Sequence, residues 1–322
     1  MIKKKICILG GTGFVGRRVA AYFVAAGHQV LIPTRNYARH RDLLVLPTAQ
    51  VVEGDVHDPA FLRCTFAGMD AVVNLVGILN ERGHSGRGFA FAHAQLPEKV
   101  VEACRQNRVP RLLHMSALNA ALDAPSHYLR TKAMGEDTVH RAGSAAASEE
   151  LHVTSFRPSV IFGPRDSFTN RFAGLLKLTP VLPLACPTAR FQPVYVDDVA
   201  RAFNAALDQH KTFGQRYSLC GPKVYTLREI VDYLAHLLGQ RTRVIALNDG
   251  LSRLQATLLE FFPGKPFSLD NYRSLKVDSV CSQGFAEIFG ITPTPLETVV
   301  PRYLGAAAHQ RFSLLRSHAR RD

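Results

Sequence analysis

Residues 5–18 read Lys5-Ile6-Cys7-Ile8-Leu9-Gly10-Gly11-Thr12-Gly13-Phe14-Val15-Gly16-Arg17-Arg18. No other stretch constrains the fold as strongly. The apolar run Ile6–Leu9 fits a buried parallel strand. The glycines fit a tight turn, and the residues from about Phe14 to Ala26 fit an amphipathic helix. In that setting each glycine has its own task. Gly10 permits the turn, Gly13 lets the backbone approach a pyrophosphate, and Gly16 lets helix and strand pack closely. The N–H groups at the helix start, around Thr12, Phe14 and Val15, then face phosphate charge.

The first half repeats this alternation. Strands are predicted at Ile6–Leu9, Gln29–Pro33, Ala49–Glu53, Ala71–Val76, Arg111–Met115 and His152–Phe156, with helices near 14–26, 36–46, 59–66, 89–108 and 126–141. Repeated βα units imply an α/β fold, a doubly wound parallel Rossmann sheet with right-handed crossovers. After Gly163-Pro164 the alternation stops, and Pro, Phe and Leu crowd the chain to Pro193. A strand at Gln192–Val196, a helix opening at Asp197-Asp198, a strand at 215–220 and a helix at 226–238 follow, with further helices near 249–262 and 279–289. The division expected is a dinucleotide-binding domain over 1–163, to which the chain returns at about 191–222. A smaller mixed substrate or partner domain takes 164–190 and 223–322.

With 322 residues, 47% of them hydrophobic, the chain can bury a substantial core. Its net charge of +13 is unusual and concentrates at Lys3–Lys5 and at Arg311, Arg316, Arg320 and Arg321. Such a balance suits an acidic partner or an anionic membrane surface. No nucleic-acid motif accompanies it, so nucleic acid is not an expected partner. Cys7, Cys64, Cys104, Cys186, Cys220 and Cys281 are scattered, without a C-x-x-C pair or zinc spacing. They read as mostly buried free thiols in a reducing, cytoplasmic setting, and no metal site is expected. Nothing approaches the roughly 20 apolar residues of a membrane span.

Further positions fit a dinucleotide. Arg35 follows the second strand, where an acidic residue would bind a ribose 2′-OH and an Arg suits a 2′-phosphate, so NADP(H) is favoured over NAD(H). Asp55 and Val56 follow the third strand, and Gly77 ends the fourth strand. Tyr128 and Lys132 lie four apart on a predicted helix, hence on one face. A nearby ammonium would lower the phenol pKa from about 10 and make a proton-transfer couple. Ser116, ending the fifth strand, could orient a substrate oxygen.

These residues resemble the short-chain dehydrogenase/reductase superfamily: Gly10-x-x-Gly13-x-x-Gly16, Asp55, Tyr128-x-x-x-Lys132, Arg157-Pro158 through Gly163-Pro164, and Tyr195-Val196-Asp197-Asp198 of the extended or atypical branch. The strings Ser126–Glu136, Asp166–Ala173, Gln192–Val196, Gly221–Thr226 and Leu269–Ser274 resemble the nucleotide-binding accessory subunit of respiratory complex I and its bacterial relatives. The superfamily resemblance implies cofactor contacts at Gly10, Thr12, Gly13, Phe14, Val15, Gly16, Arg35, Asp55, Val56, Gly77, Lys132 and Pro158, and catalysis by Tyr128, Lys132 and Ser116. The closer resemblance implies tightly held NADPH and a Tyr/Lys pair that is architectural.

Two readings therefore stand. One is an NADP(H)-dependent oxidoreductase for an apolar carbonyl or quinone-like substrate, with Phe168–Pro187 lining the pocket. The other is a non-catalytic NADPH-binding accessory protein. It would dock through its basic surface and Arg-rich tail on a respiratory complex or an anionic membrane, peripheral to the inner membrane.

Overall fold

The computed structural model describes residues 2–144, 151–262 and 265–305. The basic stretch Arg311–Arg321 lies outside the described residues. Two compact units form. One comprises the described residues of Met1–Pro158, Val196–Leu219 and Ala286–Ile291; the other comprises those of Ser159–Tyr195, Cys220–Phe285 and Thr292–Asp322.

The first unit is built on β1 (Lys5–Leu9), β2 (Gln29–Thr34), β3 (Ala49–Glu53), β4 (Ala71–Asn74), β5 (Arg111–Met115), β6 (His152–Pro158) and β7 (Arg216–Leu219). Among the described residues these make a sheet in the order β7-β6-β5-β4-β1-β2-β3. Every pairing is parallel; β1 joins β4 with Ile6 opposite Ala71 and Leu9 opposite Asn74. Strand order reverses between β1 and β4, so the chain leaves these two carboxyl ends in opposite directions and opens a crevice there.

Helices α1 (Phe14–Ala25), α2 (Pro59–Phe66), α3 (Leu96–Gln106), α4 (His127–Ser144) and α5 (Val196–Ala206) surround this sheet. Cys7, Leu9, Val72, Leu112 and Val153 meet Leu62 and Phe66 of α2, Val100 of α3 and Val139 of α4 in one buried cluster. The opposite face is covered as well. Phe156, of opposite strand parity to Val153, packs at a tilt against Phe203 of α5, ring centroids 4.2 Å apart. Helices α1 and α5 are tied by an ion pair between Arg18 and Asp197. Because both faces are covered, the buried parts of β1 and of β4 before Asn74 are apolar runs rather than alternating ones.

Three local expectations change. The segment Tyr37–Val45 is 3-10 rather than α-helical, with a kink at His40. The long helix expected over 89–108 is a turn of helix at Arg87–Ala90, a π-turn at Phe91–Gln95, and then α3. Over 279–289 only Glu287–Phe289 is helical, as a short 3-10 turn.

The second unit packs the helices Thr169–Leu178 and Leu227–Leu237 around Phe162, Leu176, Ile230 and Leu234, with Val299 and Val300 closing the cluster. Buried Asp166 starts the first of these helices, accepting from the backbone N–H groups of Phe168, Thr169 and Asn170. A disulfide joins Cys220 to Cys281, with Cα atoms 6.1 Å apart. The sequence reading of mostly free thiols did not foresee this pair, since the scattered spacing carries no pairing signal. Cys7 and Cys104 are buried free thiols, and burial pushes both up from their ordinary range. Cys64 is the exposed one. Thiol titration of protein kept free of reductant should count four thiols when unfolded, with Cys64 alone reacting fast in the folded protein; six thiols would remove the disulfide.

Candidate active site

The glycine turn forms the first wall. Gly10 has φ +77°, a conformation that favours glycine, and a Cβ there would stand 3.1 Å from the Leu75 backbone. A Cβ on Gly16 would stand 2.2 Å from Gly10 O and 2.6 Å from Gly11 Cα. Gly16 therefore packs α1 against the turn itself. Gly13 caps α1 without a side-chain partner, and no acidic residue occupies the first turn. It is exposed, and the nearest atom to a Cβ there is Gly10 O at 3.2 Å. Thr12 O accepts from Arg17 Nε at 2.9 Å, and the same guanidinium holds Asp42, so the turn is braced from inside. Phe14 and Val15 open α1. Bare helix N–H groups beside an exposed glycine suit an anionic pyrophosphate.

Arg35 is exposed just beyond β2, and Asn36 follows it, accepting from Arg39 N at 3.1 Å. Asp55 is exposed beyond β3 and accepts from His57 N at 3.0 Å, while Val56 packs toward the core. Pro158, buried at the end of β6, accepts from Leu118 N at 3.0 Å.

Helix α4 carries the second wall. Glu136 is 1% exposed and sits between two guanidinium groups, 2.7 Å from Arg157 Nη2 and 2.6 Å from Arg216 Nε. A buried carboxylate needs such partners, and here they belong to β6 and β7, so the ion pairs set the helix on the sheet. One turn back, Lys132 is buried and donates from Nζ to Met115 O at 3.0 Å. One turn further back stands half-buried Tyr128, against Ala117, Ala124 and Leu129. Ser116 Oγ is buried with no hydrogen-bond partner among the described residues. An orphaned buried hydroxyl where β5 meets the crevice side fits a polar ligand group.

Gly77 and Lys132 meet closely, since a Cβ on Gly77 would stand 3.1 Å from Lys132 Nζ and 3.6 Å from His93 Nε2. Sequence reasoning missed His93. It is buried, accepts from Ile78 N at 3.0 Å through Nε2, and contacts Thr131 Oγ1 at 3.1 Å through Nδ1. Its ring also meets Tyr128 edge-on at 5.5 Å. A lone polar residue in the apolar run around Ala92 and Ala94 was the available signal.

The electrostatics differ from expectation. Burial pushes the Tyr128 phenol up to about 12 rather than letting Lys132 lower it. Burial also holds the Lys132 ammonium down to about 8, opposed by Glu136. His93 is held down to about 2 by burial, then by Lys132, and so remains a neutral acceptor.

Crevice, glycine wall and the Tyr128/Lys132 helix agree with the comparison to known families, in which the model of the NAD dependent epimerase/dehydratase family matches residues 6–220. The chain belongs to that family. It is 31% identical over 284 residues to NADH dehydrogenase (ubiquinone) 1 alpha subcomplex subunit 9, mitochondrial, of Arabidopsis thaliana, covering 85% of this chain and 68% of that protein. A ceramide reductase of Caulobacter vibrioides is 29% identical over 247 residues, 76% of this chain and 74% of the reductase. Among solved structures, a dTDP-glucose 4,6-dehydratase from Streptomyces venezuelae with NAD and DAU bound superposes with a TM-score of 0.72. It is 19% identical and covers 93% of this chain and 95% of its own, which shows the shared fold. This member of the family thus has a dinucleotide-binding fold with relatives among both reductases and respiratory-complex subunits.

Two outcomes follow for the site. Gly16→Ala forces a methyl into backbone, so it should destabilise by about 1–3 kcal/mol and abolish nucleotide binding, as read by thermal unfolding and titration. Lys132 has a folded pKa below its ordinary 10.5, so between about 8 and 10.5 the unfolded chain binds more protons and stability rises with pH. Wild type should therefore gain on Lys132→Met across that window, by up to about 3 kcal/mol. A flat or falling difference in denaturant titrations would contradict the buried ammonium.

Proposed function

We propose that the chain is an NADP(H)-binding oxidoreductase for an apolar carbonyl or quinone-like substrate. The observation that carries this is the meeting of Lys132 Nζ with Gly77 and His93, one helical turn from Tyr128. When bound, NADP(H) exchanges the hydride. The chain does the rest. Gly10, Thr12, Gly13, Phe14, Val15 and Gly16 cradle the pyrophosphate, and Asp55 and Val56 face the adenine. Gly77 and Pro158 flank the nucleotide, and Arg35 takes a 2′-phosphate. Lys132 holds ribose hydroxyls, Ser116 orients the substrate oxygen, and the neutral Tyr128 phenol donates its proton to that oxygen. The similarity to a protein named ceramide reductase supports an apolar substrate bearing alkyl chains.

A second reading rests on a specific observation. A phenol near 12, beside an ammonium already engaged by Met115 O, suits a nucleotide held for stability rather than turned over. The similarity to a subunit of NADH dehydrogenase supports this accessory role, and with it a place beside a respiratory complex.

The chain has no tryptophan, so reduced-nucleotide fluorescence is easily followed. NADPH should bind at least about tenfold tighter than NADH, and Arg35→Ala should remove that preference. Added quinones or long-chain ketones should oxidise the bound NADPH, and Tyr128→Phe should slow this by about 100-fold or more with binding retained. Tight NADPH binding without oxidation by any acceptor would establish the accessory reading instead. Failure to bind either nucleotide would overturn both.

A further inference from the structure

In the second unit the helix Asp249–Leu259 packs with its polarity reversed. Its buried residues are Ser252 and Ala256. Ser252 Oγ accepts from Cys186 N at 3.1 Å, and Gln255 Nε2 donates to Pro183 O at 2.9 Å. These contacts fix the small, polar side of the helix against the strand Val181–Leu184. Leu251, Leu254, Leu258, Phe261 and Phe262 are left outward, 48% to 76% exposed. At 100° per residue these positions fall within one stripe about 100° wide, continued past the helix end by the two phenylalanines. A helix whose leucines face the core would need no explanation; one that turns them to solvent marks an interaction surface.

The charge around the stripe is one-sided. Arg241 and Arg243 precede the helix, Arg253 lies on its flank, and all three are exposed. Of the acidic neighbours, Asp249 is engaged by Lys276 and Tyr272, and Glu260 is buried beside Lys265. The strand Arg243–Ala246 places Arg243 and Ile245 on one outward side, and Ile245 adds 44% exposed apolar surface. With a net charge of +13 for the whole chain, the matching occupant is flat, apolar beneath and negatively charged at its surface. We infer that this helix lies on an anionic lipid bilayer. Leu251, Leu254, Leu258 and Phe261 enter the acyl boundary, and Arg241, Arg243 and Arg253 meet lipid phosphates. The inference concerns the second unit alone and holds whether or not the nucleotide site turns over.

Absence of tryptophan makes the test direct. The full chain carrying Phe261→Trp is mixed with phosphatidylcholine vesicles, with and without phosphatidylglycerol. Wild-type protein is floated with the same vesicles beside the double variant Leu254→Glu, Leu258→Glu, whose thermal unfolding is measured in parallel. The expected result is flotation with phosphatidylglycerol vesicles, weakened about tenfold or more in the folded double variant. Emission of the introduced indole should move to shorter wavelength only when those vesicles are present. No flotation would overturn the proposal. So would flotation unchanged by the double variant with unshifted indole emission, which would mean docking by charge elsewhere. A wavelength shift that depends on protein concentration without vesicles would assign the face to a second copy of the chain.

Discussion

The placement of Glu136 between Arg157 and Arg216 governs the first unit. An unpaired carboxylate at that depth would cost several kcal/mol, and removing one partner of such a cluster typically costs about 3–5 kcal/mol. The sheet supplies both partners from adjacent strands, β6 and β7. Helix α4 can therefore slide or rotate only by breaking charged contacts. The residues proposed for proton transfer are set from that anchor at helical spacing, with Lys132 one turn away and Tyr128 two. His140, a turn in the other direction, meets Ser155 on the same strand face at 3.0 Å. The inner side of α4 is thus a buried polar seam in which Lys132, Glu136 and His140 each have a stated partner.

Lys132 shows what that seam does. Its ammonium is taken from water and receives one backbone carbonyl in return, which explains why it gives up its proton near pH 8. The surroundings tolerate this charge because Glu136 favours it, His93 accepts from Ile78 N rather than carrying a proton, and position 77 has no side chain at all. A methyl at 77 would press on the lysine at 3.1 Å. Gly77 therefore serves as room for Lys132 as much as for any ligand.

Much of this was legible in the chain. Period and punctuation locate β1 to β6, because strands buried on both faces read as apolar runs between turns. The glycine turn is equally readable, since a φ of +77° and a 2.2 Å approach leave few alternatives to glycine at positions 10 and 16. The missed features depend on distance in space. Spacing places Tyr128 and Lys132 on one face but reveals neither that Met115 O holds the ammonium nor that burial raises the phenol pKa. Cys220 and Cys281 are 61 residues apart with no pattern between them. The helix expected over 279–289 had a helical distribution of apolar residues. There, instead, Ser279 pairs its backbone with Arg190 and Gln192, and Cys281 donates to Gln192. Tertiary hydrogen bonds overrode local preference.

The two pKa shifts together say which way protons can move. At neutral pH Lys132 is charged and Tyr128 keeps its proton. A phenol near 12 is a reluctant base, but it remains a proton donor to an oxygen that gains electron density. Taking a proton from an alcohol would require the phenolate, which burial disfavours by about 1.4 kcal/mol for each unit above its ordinary value. In the proposed oxidoreductase the same wall would favour the reduction of a carbonyl, in which a proton is consumed, over the reverse. In a site that only stores a nucleotide, the identical shifts have a different consequence. They leave the Tyr128 phenol uncharged beside the Lys132 ammonium, the cation that would face the nucleotide hydroxyls.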